Sequence, residues 1–436
     1  MTVDADAIEA AGDRLRSVVR RTPLDGSDRL SATLGVPVLL KREDMQVCRS
    51  YKVRGAYNLI SSLTDDERHR GVVCASAGNH GQGLAFCCAA LHIHGKVFLP
   101  ASTPRQKRER IRAIGGQWVE PIIAGSTFDE TNAAAEDDAD RRGAVYVHPF
   151  DDPRIIAGQG TVAVETAGQL ADYAGSGLAE SGLAESGLAA SGLTQSGLTV
   201  VVPVGGGGLI AGMAVWLKAR HPQVRIVGAE PAGAASMAAA LAAGKPVDLD
   251  HMDTFVDGAA VGRVGHLTFP VVRDLVDDMV GVPEGAVCTE MLDLYQSDGI
   301  IAEPAGALAS AAARQYLRGA GGPVVCVVSG GNNDVSRYAE VVERSLLHEG
   351  LRHYFLITFP QEPGALRSFL DSVLTHGEDI VVFEYVKKNN RETGPALVGV
   401  DLERAADYDD LIRRMEDSPL HIEQVPPGSP LFSFLL

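Results

Sequence analysis

The chain has no run of about 18 apolar residues, so no membrane-spanning helix is expected. It has no excess of positive charge. Lys and Arg total 39 against 56 Asp and Glu, a net charge of −17, which argues against nucleic acid or an anionic membrane as the main partner. It has few cysteines. Cys48, Cys74, Cys87, Cys88, Cys288 and Cys326 show no paired metal-ligand spacing, and four lie in apolar runs. They read as reduced, mostly buried thiols of a cytoplasmic protein. The start, Met1-Thr2-Val3-Asp4-Ala5-Asp6, lacks a basic segment followed by an apolar core, so no signal peptide is predicted. What remains is 436 residues, 45% of them apolar and 22% charged. That is ordinary for a globular protein and long for one core, so two or three domains are expected.

Apolar strand-like runs alternate with helix-like segments from about residue 36 to 345. Val36–Leu40, Val72–Ser76, Val97–Pro100, Thr199–Val204, Arg225–Glu230 and Val324–Ser329 read as strands, several of them continuously apolar as in a parallel sheet covered on both faces. Lys52–Leu63, His80–His92, Pro104–Ile114, Phe128–Arg141 and Ala307–Leu317 read as the helices between. The alternation predicts an open α/β architecture, whose ligands bind beyond the carboxyl ends of strands. Residues 176–198 repeat Ser-Gly-Leu with a period of five, too short for a solenoid unit, and read as a tolerated low-complexity insert.

Three glycine-bearing loops each follow such a strand: Ser76-Ala77-Gly78-Asn79-His80-Gly81, Gly205-Gly206-Gly207-Gly208-Leu209 and Ser329-Gly330-Gly331-Asn332-Asn333. The glycine tetrad lets successive backbone N–H groups converge on an anion at a helix N-terminus. It is neither Gly-x-Gly-x-x-Gly nor a Walker loop, which disfavours a nucleotide. Upstream lies Ser50-Tyr51-Lys52-Val53-Arg54-Gly55-Ala56. A lysine whose amine is held neutral can attack an aldehyde and later move a proton.

In this order the Ser-x-Lys-x-Arg-Gly-Ala segment and the three loops resemble the fold-type II pyridoxal phosphate (PLP) enzymes. Among them they resemble the biosynthetic threonine dehydratases. The resemblance implies two facing α/β subdomains of the tryptophan synthase β-like kind within residues 1–345, the smaller at about 45–155. It implies that Lys52 is the Schiff-base lysine and that Gly205, Gly206, Gly207, Gly208 and Leu209 hold the PLP phosphate. It implies that Asn79 bonds the ring 3′-oxygen, that Ser76, Ala77, Gly78 and Asn79 take the substrate carboxylate, and that Ser329 meets the pyridine nitrogen. A neutral hydroxyl there suits α,β-elimination better than transamination. Glu303 in Ala302-Glu303-Pro304-Ala305-Gly306 is a candidate supporting carboxylate. Arg54 and His80 read as structural, and Asn79 alone also reads as a helix N-cap. Ala77 stands where racemases of this fold carry a second serine, which favours a one-base dehydratase. Glu230, Ala234 and Ser236 resemble the cation-binding stretch of those racemases, with potassium the expected ion rather than a divalent metal.

Residues 350–436 read differently, in the order βαββαβ of a ferredoxin-like fold, with a hairpin at Asn389–Gly394. Pro363-Gly364-Ala365-Leu366 and Asn390-Arg391-Glu392-Thr393-Gly394 resemble one ACT-like regulatory domain. The implied effector is isoleucine, and its candidate site is Phe359, Pro363, Gly364, Ala365 and Leu366, with Pro363 in the first helical turn. The expected activity is conversion of L-threonine to 2-oxobutanoate and ammonia, the expected assembly a homotetramer. The alternatives are a catabolic serine/threonine dehydratase and a non-catalytic amino-acid sensor.

Overall fold

In the computed structural model, which describes residues 3–175, 197–385, 391–426, 429 and 431–432, the apolar runs form two parallel sheets. The larger contains β1 (Leu24–Gly26), β2 (Val38–Arg42), β7 (Thr199–Pro203), β8 (Arg225–Pro231), β9 (Asp278–Val282) and β10 (Val324–Val328). Its order is β1-β2-β10-β7-β8-β9, parallel except for β1 against β2. The smaller contains β3 (Val72–Ala75), β4 (Gly95–Leu99), β5 (Val119–Ile123) and β6 (Val145–Tyr146) in the order β5-β4-β3-β6, all parallel. β2, β3, β7 and β10 are buried along nearly their whole length, because helices cover both faces.

The helices Lys52–Ser61, Asn79–Leu91, Arg105–Gly115, Phe128–Arg142 and Pro304–Tyr316 lie within one or two residues of the predicted ends, apart from the start of the last, where Pro304 takes the first helical position. Their termini carry the expected chemistry: Thr127 and Glu130 form a capping box, and Gly143 closes the same helix in a left-handed conformation. The repeat segment lies outside the described residues up to Ser196, between the helix Pro153–Gly175 and β7.

Two compact units divide the chain, Met1–Glu284 with Asp293–Asn333, and Gly285–Leu292 with Asp334–Leu436. The second unit carries β11 (Arg352–Pro360), β12 (Glu378–Tyr385), β13 (Thr393–Leu402) and β14 (His421–Gln424), with helices Ala365–Val373 and Tyr408–Glu416 after β11 and β13. The sheet is antiparallel in the order β12-β13-β11-β14, which is the ferredoxin-like arrangement. One face of it buries Phe355, Ile357, Phe369, Val398, Val400 and Leu411. Of the predicted hairpin turn, Asn389 and Asn390 lie outside the described residues. None of the six cysteines is in a disulfide, and all but Cys48 are buried. No helix among the described residues is long and apolar enough to cross a membrane.

Candidate active site

The three glycine-bearing loops lie at the carboxyl ends of β3, β7 and β10, where an open α/β fold binds its ligands. The backbone holds the lysine segment to the last of them. Ser50 and Gly330 form an isolated bridge, and the Tyr51 amide donates to the Ser329 carbonyl at 3.2 Å. Lys52 then opens a helix. Its Nζ donates to the Pro149 carbonyl at 3.1 Å and lies 5.3 Å from the centre of the Tyr51 ring. Desolvation pulls the Lys52 amine down to about 8, although the Glu303 carboxylate pulls the other way. Burial thus shifts Lys52 toward the neutral amine that the chemistry of a nucleophilic lysine requires.

The glycine tetrad is built to hold an anion. Gly207 has φ +93°, and a Cβ there would meet Thr268 Oγ1 at 2.8 Å. A Cβ on Gly206 would meet the Phe150 ring at 2.4 Å, so no other residue fits. Thr268 Oγ1 donates to the Gly206 carbonyl at 2.6 Å and pins the turn. Among the described residues none accepts from the amides of Gly205, Gly206, Gly207, Gly208 or Leu209, and all five residues are buried or half-buried. Buried N–H groups without an acceptor are rare, and five successive ones at a helix start fit a phosphate. The donor set and the depressed amine therefore fit PLP.

Asn79, Asn332 and Glu303 meet as well. Asn79 Nδ2 donates to Glu303 Oε1 at 2.6 Å, and Asn332 Nδ2 donates to Asn79 Oδ1 at 2.6 Å. Burial, with repulsion from Asp257, raises the Glu303 carboxyl to about 7. A Cβ on Gly330 would lie 2.1 Å from Glu303 Oε1, so the glycine makes room for the carboxylate. The N-cap reading of Asn79 is wrong: Gly78 is the cap, and the Asn79 side chain turns to Glu303 instead. Ser329 is buried at the end of β10, where its hydroxyl donates to the Ala305 carbonyl at 3.1 Å. The Ser76 amide is taken by the Phe98 carbonyl at 3.1 Å, while the Ser76 hydroxyl accepts from the Gly78 amide at 3.2 Å. His80 is buried with Nε2 2.7 Å from the Val147 carbonyl, and burial with the nearby Lys52 charge lowers it to about 3, so it is neutral.

Arg54 serves the frame. Its guanidinium is buried and bonds Glu43 at 2.7 and 2.8 Å and Glu165 at 2.9 Å, and Lys41 Nζ bonds Glu165 at 2.6 Å. Glu230 is buried at the end of β8 and accepts from the Met237 and Ala238 amides at 2.9 Å each, while Ser236 Oγ has no partner among the described residues. In the second unit Gly364, at φ +97°, is the cap of the helix Ala365–Val373. Pro363 therefore precedes the helix rather than lying in its first turn, because a left-handed residue cannot continue a right-handed helix. Phe359 is buried and Leu366 exposed.

Sequence reasoning missed Pro149, Phe150 and Thr268. The first acts through its backbone carbonyl, the second through its packing on the glycine turn, and the third through its hydroxyl, which bonds the Gly206 carbonyl. No pattern of residue types signals any of them.

Residues 15–330 match the pyridoxal-phosphate dependent enzyme family, and residues 343–435 match the C-terminal regulatory domain of threonine dehydratase. The biosynthetic L-threonine dehydratase of Mycobacterium tuberculosis is 56% identical over 98% of this chain and 95% of its own. That of Bacillus subtilis is 46% identical over 98% and 96%. Among solved structures, the processed form of threonine deaminase isoform 2 from Solanum lycopersicum aligns at 36% identity with TM-score 0.68, covering 79% of this chain and 95% of that one. Maize serine racemase aligns at 32% identity with TM-score 0.68, covering 80% and 99%. The chain belongs to the pyridoxal-phosphate dependent enzymes and, over its whole length, to the biosynthetic threonine dehydratase family.

Proposed function

We propose that the chain eliminates water from L-threonine, that the released enamine takes up water again as it hydrolyses to 2-oxobutanoate and ammonia, with PLP as cofactor, and that isoleucine acting on the C-terminal module restrains it. One observation carries this reading. The Lys52 amine bonds the Pro149 carbonyl, and the next residue, Phe150, packs on Gly206 and Gly208 of the turn whose five amides have no acceptor among the described residues.

When bound, PLP supplies an electrophilic aldehyde carbon and an electron-accepting ring. The chain's residues supply the rest. Gly205–Leu209 hold the phosphate with backbone amides. Lys52 attaches the cofactor and, once released, moves the proton at the substrate Cα, which an amine with a pKa of about 8 does readily near neutral pH. Asn79 Nδ2 has one N–H on Glu303 and a second to donate to the ring oxygen. The Ser329 hydroxyl, which donates to the Ala305 carbonyl, would be the group to meet the ring nitrogen, where a neutral hydroxyl would bond without supplying a full proton. Of the Ser76–Asn79 loop, the Ser76 hydroxyl and the Ala77 and Asn79 amides remain for the substrate carboxylate. The Ala77 methyl moves no proton, so one face of the substrate meets a base and the other does not.

The difference between threonine and serine is one methyl, about 1–3 kcal/mol, so serine is the poorer substrate. Potassium at Glu230, Ala234 and Ser236 belongs to the proposal, supported by the unpartnered Ser236 hydroxyl. So do a cytoplasmic location and a homotetramer. The test is keto-acid formation by the purified chain loaded with PLP. Threonine should yield 2-oxobutanoate, and isoleucine should suppress it. No keto acid from threonine would overturn the proposal.

A further inference from the structure

Cys48 and Arg49 are consecutive non-glycine residues in the left-handed region, with φ +60° and +55°. Nothing in the proposed chemistry requires this, and such strain marks a place where the surroundings hold a function. Their carbonyls meet the loop after β10. Arg49 accepts from the Gly331 amide at 2.9 Å, and Cys48 accepts from Asn332 Nδ2 at 2.7 Å. A carbonyl can only accept, so this contact settles which end of the Asn332 amide faces it. The second hydrogen on the same nitrogen goes to Asn79 at 2.6 Å, so the Asn79 atom there is its oxygen. Asn79 Nδ2 is then left on the other side, 2.6 Å from Glu303.

Glu303 alone cannot fix that orientation. As a carboxylate it accepts from Asn79, but as an acid it donates, and with a value of about 7 it takes both forms near neutral pH. The Cys48 carbonyl does not titrate.

We propose that Asn332 is a positioning residue: anchored on the Cys48 carbonyl, it locks the Asn79 amide with its nitrogen as the donor offered to the cofactor. This rests on the reading of Asn79 as a cofactor contact, and the experiment separates the two. The full-length chain, stripped of cofactor, is titrated with PLP for Asn332→Asp, Asn79→Ala and the double variant. Affinity and the position of the bound cofactor's absorbance band are recorded, with circular dichroism to check folding. Asp at 332 has the same shape but no donor for either Cys48 or Asn79. Its affinity should fall tenfold or more, with a displaced band, and the double variant should be within twofold of Asn79→Ala alone. Native affinity and band in Asn332→Asp beside a weakened Asn79→Ala would overturn the relay alone, as would losses that simply multiply. Native binding by Asn79→Ala would overturn the reading of Asn79 and the relay with it. Asn332→Ser, with one donor where two are needed, serves in place of Asn332→Asp should the latter not fold.

Discussion

Lys52 and Glu303, one lowered to about 8 and one raised to about 7, are set by opposite outcomes of the same physics. Burial disfavours both charges; the Glu303 carboxylate partly rescues the Lys52 amine, while the Asn79 amide and the Lys107 charge partly rescue Glu303. The amine attacks the cofactor only when neutral. Attachment of PLP to the cofactor-free chain should therefore speed up about tenfold per pH unit below about 8 and level off above it. Glu303 holds the amine's value up, so Glu303→Gln should move that midpoint to lower pH. A midpoint that stays in place or rises, read from the rate of cofactor absorbance change, would remove Glu303 from the site. Arg54 gives a contrasting case. Its ion pairs with Glu43 and Glu165 are buried, and their net worth is small because two desolvations oppose the attraction. Removing one partner is different, since it strands the Glu43 carboxylate. Arg54→Ala should lose about 3–5 kcal/mol in denaturant unfolding, whereas a loss under about 1 kcal/mol would mean water reaches Glu43.

At the scale of elements, most of the large sheet and the three loops were legible because β3, β7 and β10 are unbroken apolar runs followed by glycine-rich turns. What escaped were edge strands. β5 contains Pro121 and pairs on one side only, and β9 mixes Asp278 and Gly281 into a short segment at the sheet's margin. Neither carries the pattern of a buried strand. Lys52, the glycine tetrad and Ser329 were readable as types in a fixed order. The Asn332–Asn79–Glu303 contacts were not, since they join residues up to 253 positions apart through side-chain geometry. In the second unit, Gly364 makes the turn between β11 and the next helix with φ +97°. Gly364→Val forces a β-branched side chain into that conformation, a strain of about 1–3 kcal/mol. It should raise the isoleucine concentration for half-inhibition at least tenfold. An unchanged inhibition curve would move the effector site elsewhere.

For the molecule as a whole, the buried cysteines have a consequence unrelated to chemistry at the site. They are spread over the sheets: Cys74, Cys87 and Cys88 with the small one, Cys326 in β10 of the large one, and Cys288 in the second unit. Burial raises the thiols of Cys74, Cys87 and Cys88, so they resist alkylation while the fold is closed. Each becomes reactive only when its own surroundings open, and opening free energies differ between cooperative regions of one protein. The chain thus carries its own reporters of local unfolding. Pulsed alkylation followed by peptide mass spectrometry should show the thiols labelling in groups, with Cys74, Cys87 and Cys88 sharing one rate. Unrelated rates for Cys74, Cys87 and Cys88 would mean that the small sheet does not open as a unit. Position-by-position labelling would then rank the small sheet, the large sheet and the helix around Cys288 by how readily each comes apart, without a single introduced probe.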